Sequence, residues 1–512
     1  MSNVVFYTWI FAGMIPNRGR VAALHCSYAD RPPQIPGRAQ DTTRGGAQES
    51  VLHRKMKNLA CLWQISSSFT YSFTPPGSMG IINGKYHLHH SDGSGITGNV
   101  HTPDDPVLLY TVLIQESVLI DGFSFAGIHA GIKNNGRRDL GLILCDKPAA
   151  AAAVFTKNQV KAAPVILGQQ MIKKGVCQAV LVNSGNANCF TGEQGIKDAQ
   201  VSARLVADTF GIPEDLVMVS STGVIGAPMP MDRFASGVPQ LKKQIGSGIL
   251  DDFADAILTT DLVPKTVEMT ADIETARGLQ TIAMAGVAKG SGMIRPDMAT
   301  MLAYVLTDAH ISGPDLQQAL AGACDKSFNR ITVDGDTSTN DTLLCLAGGT
   351  GNAVVQDETS LAGFQTLLEN VCRDLARQIV KDGEGATKVV QITVKGAATK
   401  QDAFWAAEAI AHSNLVKTAI YGQDPNWGRI TAAAGRSGAR VNQNLMDLYF
   451  DTVPLVIQGR WLGKEAEVQA AKVMKAKDIT IILDLNLGKY SDSFLFCDFS
   501  ENYVKINADY RS

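Results

Sequence analysis

The chain predicts a mixed α/β fold, on three observations. Short apolar runs bounded by turn residues recur, as in Asp139–Cys145 (DLGLILC) and Gln178–Asn183 (QAVLVN). Apolar residues also fall at helical spacing: Phe364, Leu367, Leu368, Val371, Leu375 and Ile379 make one stripe. From about Gly122 onward the two patterns are interspersed, so α and β layers are expected to pack on one another.

In chain order, the two runs above are buried strands. Ala199–Phe210 is a helix stopped by Gly211. Leu216–Ser220 is a strand that runs into Ser221-Thr222-Gly223, and Met301–Thr307 is another, with Thr300 at its head. Leu361–Ile379 is the helix that carries the stripe. Val389–Val394 alternates apolar and polar, as a half-exposed strand does. Asp402–His412 is a second long helix pattern, and Asp478–Leu485 and Tyr503–Ile506 read as late strands. No internal repeat is visible.

Residues 1–118 read differently. Pro32-Pro33, Pro75-Pro76 and the glycines of 93–98 interrupt any periodicity, and acids are scarce before Asp92. An acid-poor, Arg-rich composition belongs to organelle transit peptides, but the length is generous and the amphipathic period weak. The expectation is an irregular or disordered extension, dispensable for activity; a start codon placed too early gives the same pattern. The expected location is the cytoplasm, or an organelle if the extension is a transit peptide.

The 512 residues allow two or three domains, and 45% apolar with 19% charged residues is a globular composition. A net charge of -3 argues against nucleic-acid and membrane-surface partners. The apolar run Val4–Ile15 is too short to span a bilayer, so a soluble protein is expected. The nine cysteines include no CxxC pair and read as reduced core thiols. His87, His89 and His90 have no carboxylate or cysteine at ligand spacing, so no metal is expected.

Lys289–Leu302 (KGSGMIRPDMATML) places Thr300 after a small residue, behind glycines and ahead of a strand. A threonine hydroxyl becomes a good nucleophile when its own α-amine is free to act as base. Position 300 reaches that state only if the Ala299–Thr300 bond is cut. Cutting builds negative charge on the Ala299 carbonyl oxygen, which needs donors already in place. Thr222-Gly223 reads either as such a donor pair or as a simple strand-to-loop turn. The order of Lys289-Gly290-Ser291-Gly292 is wrong for a phosphate loop, as is that of Gly383–Lys388. No dinucleotide fingerprint is present, and His129, His310 and His412 support no Ser-His-Asp arrangement.

These segments resemble the ornithine acetyltransferases, the self-cleaving glutamate N-acetyltransferases of arginine biosynthesis. Besides 289–302, the resemblance rests on 154–165, 182–192, 220–226, 259–261, 328–342, 381–388, 421–430 and 503–510, all in the family's order. It spans about Gly122 to Ser512. It implies that Ala299–Thr300 is cut by the chain itself and that Thr300 is the nucleophile. Thr222 and Gly223 then form the oxyanion hole, and Thr259, Lys289, Thr300, Glu384, Asn507 and Ser512 contact substrate.

The implied reaction moves acetyl from N-acetylornithine to glutamate through acetyl-Thr300, with acetyl-CoA a second donor in some members and no resident cofactor. The implied fold is a two-domain α/β assembly of self-processing type. Its segments are 119–299 and 300–512, which stay paired after the cut as an α2β2 heterotetramer. Ser512, Leu262 and Arg295 depart from residues common in the family, and bear on affinity. Two competing readings are a self-processing N-terminal-threonine aminopeptidase or amidase that passes the acyl group to water, and an uncut amino-acid-binding protein.

Overall fold

The computed structural model describes residues 120–295 and 301–509, and the backbone alone of 78–82, 85–89 and 95–99. It divides into two compact units, Met1–Ser117 and Val118–Ser512. In the first, β1 (Ser78–Ile82), β2 (Lys85–His89) and β3 (Gly95–Asn99) form an antiparallel meander. The glycines of 93–98 therefore do not exclude a strand, because ladder pairing needs only an extended backbone. The remainder of the expected extension lies outside the described residues.

The second unit is built on two sheets. The first runs β7 (Val217–Val224), β6 (Val176–Asn186), β5 (Leu140–Phe155), β13 (Thr342–Ala347), β10 (Leu302–Thr307), β9 (Gly278–Lys289), β8 (Lys265–Thr275). β4 (Phe123–Ile128) pairs with the front half of β5. Two neighbouring pairs are parallel, β6 with β7 and β10 with β13. Each needs a crossover helix: α2 (Gly192–Phe210) for the first and α5 (Gly313–Asp325) for the second. α1 (Ala163–Met171) and α2 cover the β6–β7 end, α3 (Met231–Gln244) packs on α2 and β4, and α4 (Leu250–Ile257) lies over β4 and β5.

Strand β5 is longer than its apolar run suggests. The ladder with β6 slips between Leu144 and Ala149, so Pro148 sits where no ladder donor is required. Beyond it, five alanines (Ala149–Ala153) continue the strand, with partners on both sides. Alanine favours helix, but here cross-strand burial overrides propensity.

α6 (Glu358–Lys381) starts at an Asp357–Ser360 capping box and lays its stripe across β8 and β9 beside α5. The second sheet has the order β12 (Ile331–Thr332), β20 (Tyr490–Cys497), β15 (Val389–Ala397), β19 (Asp478–Asp484), β16 (Asp447–Phe450), β17 (Val453–Ile457), β18 (Arg460–Trp461). α7 (Lys400–Ala411), α9 (Trp427–Gly435) and α10 (Lys464–Val473) close its core; α8 (Asn414–Tyr421) lies alongside. β11 (His310–Ile311) pairs with β14 (Val354–Val355). The expected mixed α/β class holds.

Two expectations need correction. Thr222-Gly223 lies inside β7, paired with Ser184 and Gly185, and is not a turn after it. Tyr503–Ile506 is helical, part of α11 (Glu501–Ala508). Four residues alternating apolar and polar fit one helical turn as well as a strand. Among the described residues no strand pairs with this segment, and Val504 stays 59% exposed.

The expected division at 299/300 falls within the second unit, between β9 and β10, which pair antiparallel from Leu302–Lys289 to Thr307–Met284. Both segments thus contribute strands to one sheet.

Candidate active site

Each candidate side chain among the described residues sits at or just past the end of an element. β9 ends on Lys289, which the fold buries to 3% exposure. Thr259 lies two residues beyond the end of α4. α6 ends at Lys381, and the turn after it carries Asp382 and Glu384. The backbone of that turn is tied across, Glu384 N–H donating to Ser291 O at 2.8 Å. Asn507 on α11 donates from Nδ2 to Glu384 Oε2 at 2.7 Å. Gly292 passes so close that a Cβ there would lie 2.4 Å from Glu384 Oε2.

Under this arrangement lies a charge cluster that the sequence reading did not name. Lys265 Nζ donates to Asp261 Oδ1 at 2.7 Å and to Asp382 Oδ2 at 2.6 Å, all buried. Asp261 also accepts the N–H of Thr259 at 3.0 Å and of Gly290 at 2.6 Å, and lies 3.7 Å from Lys289 Nζ. One carboxylate therefore sets Thr259, Lys289 and the glycine loop together. Burial alone would raise the Asp261 pKa, but Lys289 and Lys265 outweigh it and hold the carboxyl below the usual range. Burial pushes the Lys289 ammonium down, with Asp261 and Glu384 opposing.

Removing one member leaves uncompensated buried charge. Asp261→Asn is expected to lower stability by about 3–5 kcal/mol at pH 7. Because the folded pKa of Asp261 is depressed, its contribution is full above about pH 4 and fades as pH falls through the folded value. The gap between wild type and variant in urea unfolding should therefore narrow at low pH; a constant gap would contradict the assignment.

At the other side of the site, Asn340 Nδ2 donates to Ser221 O at 2.7 Å and to Ala187 O at 2.6 Å, pinning the end of β7 just before Thr222. Gly223 has φ +135 and abuts Gly185. Both flanks of 296–300 are also anchored. Asp334 accepts the N–H groups of Met293 (2.5 Å) and Ile294 (2.9 Å), while Asp341 Oδ1 accepts that of Met301 (2.9 Å). Tyr503 Oη donates to Asp334 at 3.2 Å, which ties α11 to the same loop.

Of the expected site residues, the structure gathers Thr259, Lys289, Glu384 and Asn507, and describes Thr222 and Gly223 at the end of β7. Ala299, Thr300 and Ser512 lie outside the described residues. A further lysine also reaches the site's edge. Asp139 accepts four consecutive N–H groups, Ala130 to Lys133, and so shapes a loop whose Lys133 Nζ donates to Leu258 O at 2.9 Å. Burial lowers the Lys133 pKa to about 8. Nothing in the loop's sequence distinguished this lysine from a solvated one. Among the described residues no cluster of His, Cys, Asp and Glu could hold a metal ion, no helix is long and apolar enough to cross a membrane, and the cysteines are buried and free.

Fold and site together define a mixed α/β protein whose loop cluster holds a buried lysine, Lys289, and a carboxylate, Glu384, at the ends of its elements. Comparison with known proteins narrows it. The profile of the ArgJ family matches residues 124–512. A protein of Geobacter sulfurreducens named arginine biosynthesis bifunctional protein ArgJ is 50% identical over 395 residues, covering 77% of this chain and 100% of its own length. Its namesake in Syntrophotalea carbinolica is 48% identical over 397 residues, with coverages of 77% and 100%. A crystal structure of the argJ protein from Bacillus halodurans is 43% identical, covers 40% of this chain and 97% of the solved one, and has a TM-score of 0.39. The chain belongs to the ArgJ family.

Proposed function

We propose that this chain transfers acetyl from N-acetylornithine to glutamate through an acetyl ester on Thr300. That it is an acetyltransferase of arginine biosynthesis follows from its family; the residues and steps are our reading. The observation that carries it is the convergence of Lys289, Thr259, Glu384 and Asn507 with the anchored ends of segment 296–300. Lys289 offers an ammonium to the substrate α-carboxylate. Glu384, hydrogen-bonded by Asn507, offers a carboxylate to the side-chain amine of ornithine.

In the maturation step, Thr300 Oγ attacks the carbonyl carbon of Ala299. The C–N bond breaks as the nitrogen takes the hydroxyl proton, leaving an ester and a free α-amine, and water then hydrolyses the ester. In turnover, the α-amine takes the Oγ proton as Oγ attacks the acetyl carbon of N-acetylornithine. The proton passes to the departing ornithine nitrogen. The amine of glutamate attacks the acetyl ester, and its proton returns to Thr300 Oγ by way of the same α-amine. Thr222 and Gly223 hold each oxyanion.

Hydroxyl and amine supply nucleophile and base, so no resident cofactor is needed, and acetyl-CoA serves as an alternative donor at most. In this reading the two segments stay joined through β9–β10 and β5–β13, two such pairs associate, and the enzyme works in the cytoplasm.

The test is direct. Purified protein is expected to give two masses, one fragment beginning at Thr300, and to form N-acetylglutamate from N-acetylornithine only when glutamate is present. Ornithine released at an equal rate without glutamate would establish a hydrolase instead.

A further inference from the structure

One cation at the edge of the site has no part in the proposed reaction. Lys133 is held at three points. Its backbone N–H donates to Asp139 Oδ2 at 3.0 Å, and its Nζ donates to Leu258 O at 2.9 Å. Its stem crosses Gly185, where a Cβ would lie 2.8 Å from Lys133 Cγ. Gly185 in turn abuts Gly223. Any larger residue at 185 would push the lysine off this path, so the glycine makes room for it.

Leu258 O belongs to the same peptide unit as the Thr259 N–H, which Asp261 Oδ2 accepts at 3.0 Å. Asp261 Oδ2 also lies 3.7 Å from Lys289 Nζ. One peptide unit and one carboxylate therefore link the ammonium of Lys133 to that of Lys289. Burial lowers the Lys133 pKa to about 8; Asp139 and Asp261 oppose the fall, and Arg137 and Lys289 add to it. The side chain is thus charged at pH 7, and the two lysines repel one another across Thr259.

An ammonium carries three N–H donors. Those of Lys265 are taken by Asp261, Asp382 and the Val263 carbonyl. Among the described residues the Lys133 ammonium has one acceptor, the Leu258 carbonyl, and no carboxylate as ion-pair partner. It is the cation at the site with donors to spare.

The two amino acids of the proposed reaction differ in charge at the end of the side chain. Ornithine ends in an ammonium, which Glu384 attracts. Glutamate ends in a carboxylate, which Glu384 repels. With the α-carboxylate at Lys289, this second carboxylate needs a second cation. Glu384 acts on Lys289 but is not among the charges that act most on Lys133. The two methylenes of glutamate let its side-chain carboxylate turn from Glu384 toward Lys133.

Resting on the acetyl-transfer reading, we infer that Lys133 is a specificity residue for the acceptor: its ammonium pairs with the side-chain carboxylate of glutamate.

The test compares glutamate with glutamine, which has the same shape without the charge, as acceptors of acetyl from N-acetylornithine. Wild type is expected to prefer glutamate by at least about tenfold in kcat/KM. Lys133→Met keeps the stem over Gly185 and removes the charge. It is expected to lower kcat/KM for glutamate by about 10- to 100-fold, chiefly through KM, and to bring the two acceptors within about threefold of each other. A variant that keeps the wild-type preference overturns the proposal.

Exchange of labelled ornithine into N-acetylornithine, run without glutamate, reads the donor half alone. The loss in transfer to glutamate should exceed the loss in exchange by at least about tenfold. Equal losses mean that Lys133 only supports the loop of Thr259, and overturn the proposal. If the Met variant does not fold, Lys133→Gln, which keeps a donor for Leu258 O, carries the same two comparisons. A wild type that forms no N-acetylglutamate refutes the proposed function and this inference with it. A wild type that forms it but accepts glutamine as readily refutes only this inference.

Discussion

Thr300→Ala is expected to leave a single chain of full length with no measurable acetyl transfer. The methyl group cannot attack Ala299, so no α-amine is released, and nucleophile and base are lost in one substitution. Loss of a nucleophile that acts as a unit with its base typically costs at least about 10⁴-fold. Thr300→Ser should still cut, more slowly, because it keeps the hydroxyl. Intact mass reports the cut, and formation of N-acetylglutamate reports transfer. An alanine variant that arrives in two fragments, or that transfers acetyl, would end the Thr300 mechanism.

Gly223→Ala is expected to be nearly as severe. A Cβ at Gly223 would lie 2.3 Å from the Gly185 carbonyl carbon and 2.6 Å from Asn186 N, at a φ of +135 that side chains rarely adopt. The atoms in the way belong to the backbone of β6, so the ends of β6 and β7 must part. Loss of one oxyanion donor costs roughly 10²–10³ in kcat, about 2.7–4 kcal/mol. Self-cleavage should slow in parallel, because the scheme uses the same donors for both oxyanions. Gly435→Ala on α9, where a Cβ meets nothing within 4 Å, is the control and should be neutral. A Gly223→Ala enzyme with wild-type kcat would remove Thr222-Gly223 from the oxyanion hole.

Periodicity located the elements whose apolar pattern is long. The stripe from Phe364 to Ile379 marked α6, and its ends needed only the capping signals around it. It could not follow β5 past Cys145, because the strand passes through Asp146, Lys147 and Pro148 at a bulge and resumes in alanines. It misjudged Tyr503–Ile506 because a four-residue alternation carries too little pattern to separate one helical turn from a strand. Where the site residues fall in motifs, as Lys289 and Glu384 do, the motif singled them out. Lys265, Asp382, Asn340 and Asp341 did not stand out, although all but Lys265 lie inside the quoted segments, since a polar residue in a loop reads as solvated until its burial is known.

By its order of residues alone, then, the chain determined its α/β class, the neighbours of its prospective nucleophile and the family to which it belongs, because these depend on pattern and on adjacency along the backbone. Tertiary structure decided which polar groups lose water together. Asp261 and Asp382 are 121 positions apart in number but share one ammonium, Lys265, and Asp341 meets the residue after Thr300 from 40 positions away. Desolvation at those meetings gives the charges their strength, and no reading of local sequence can see which groups will be brought into the same dry space.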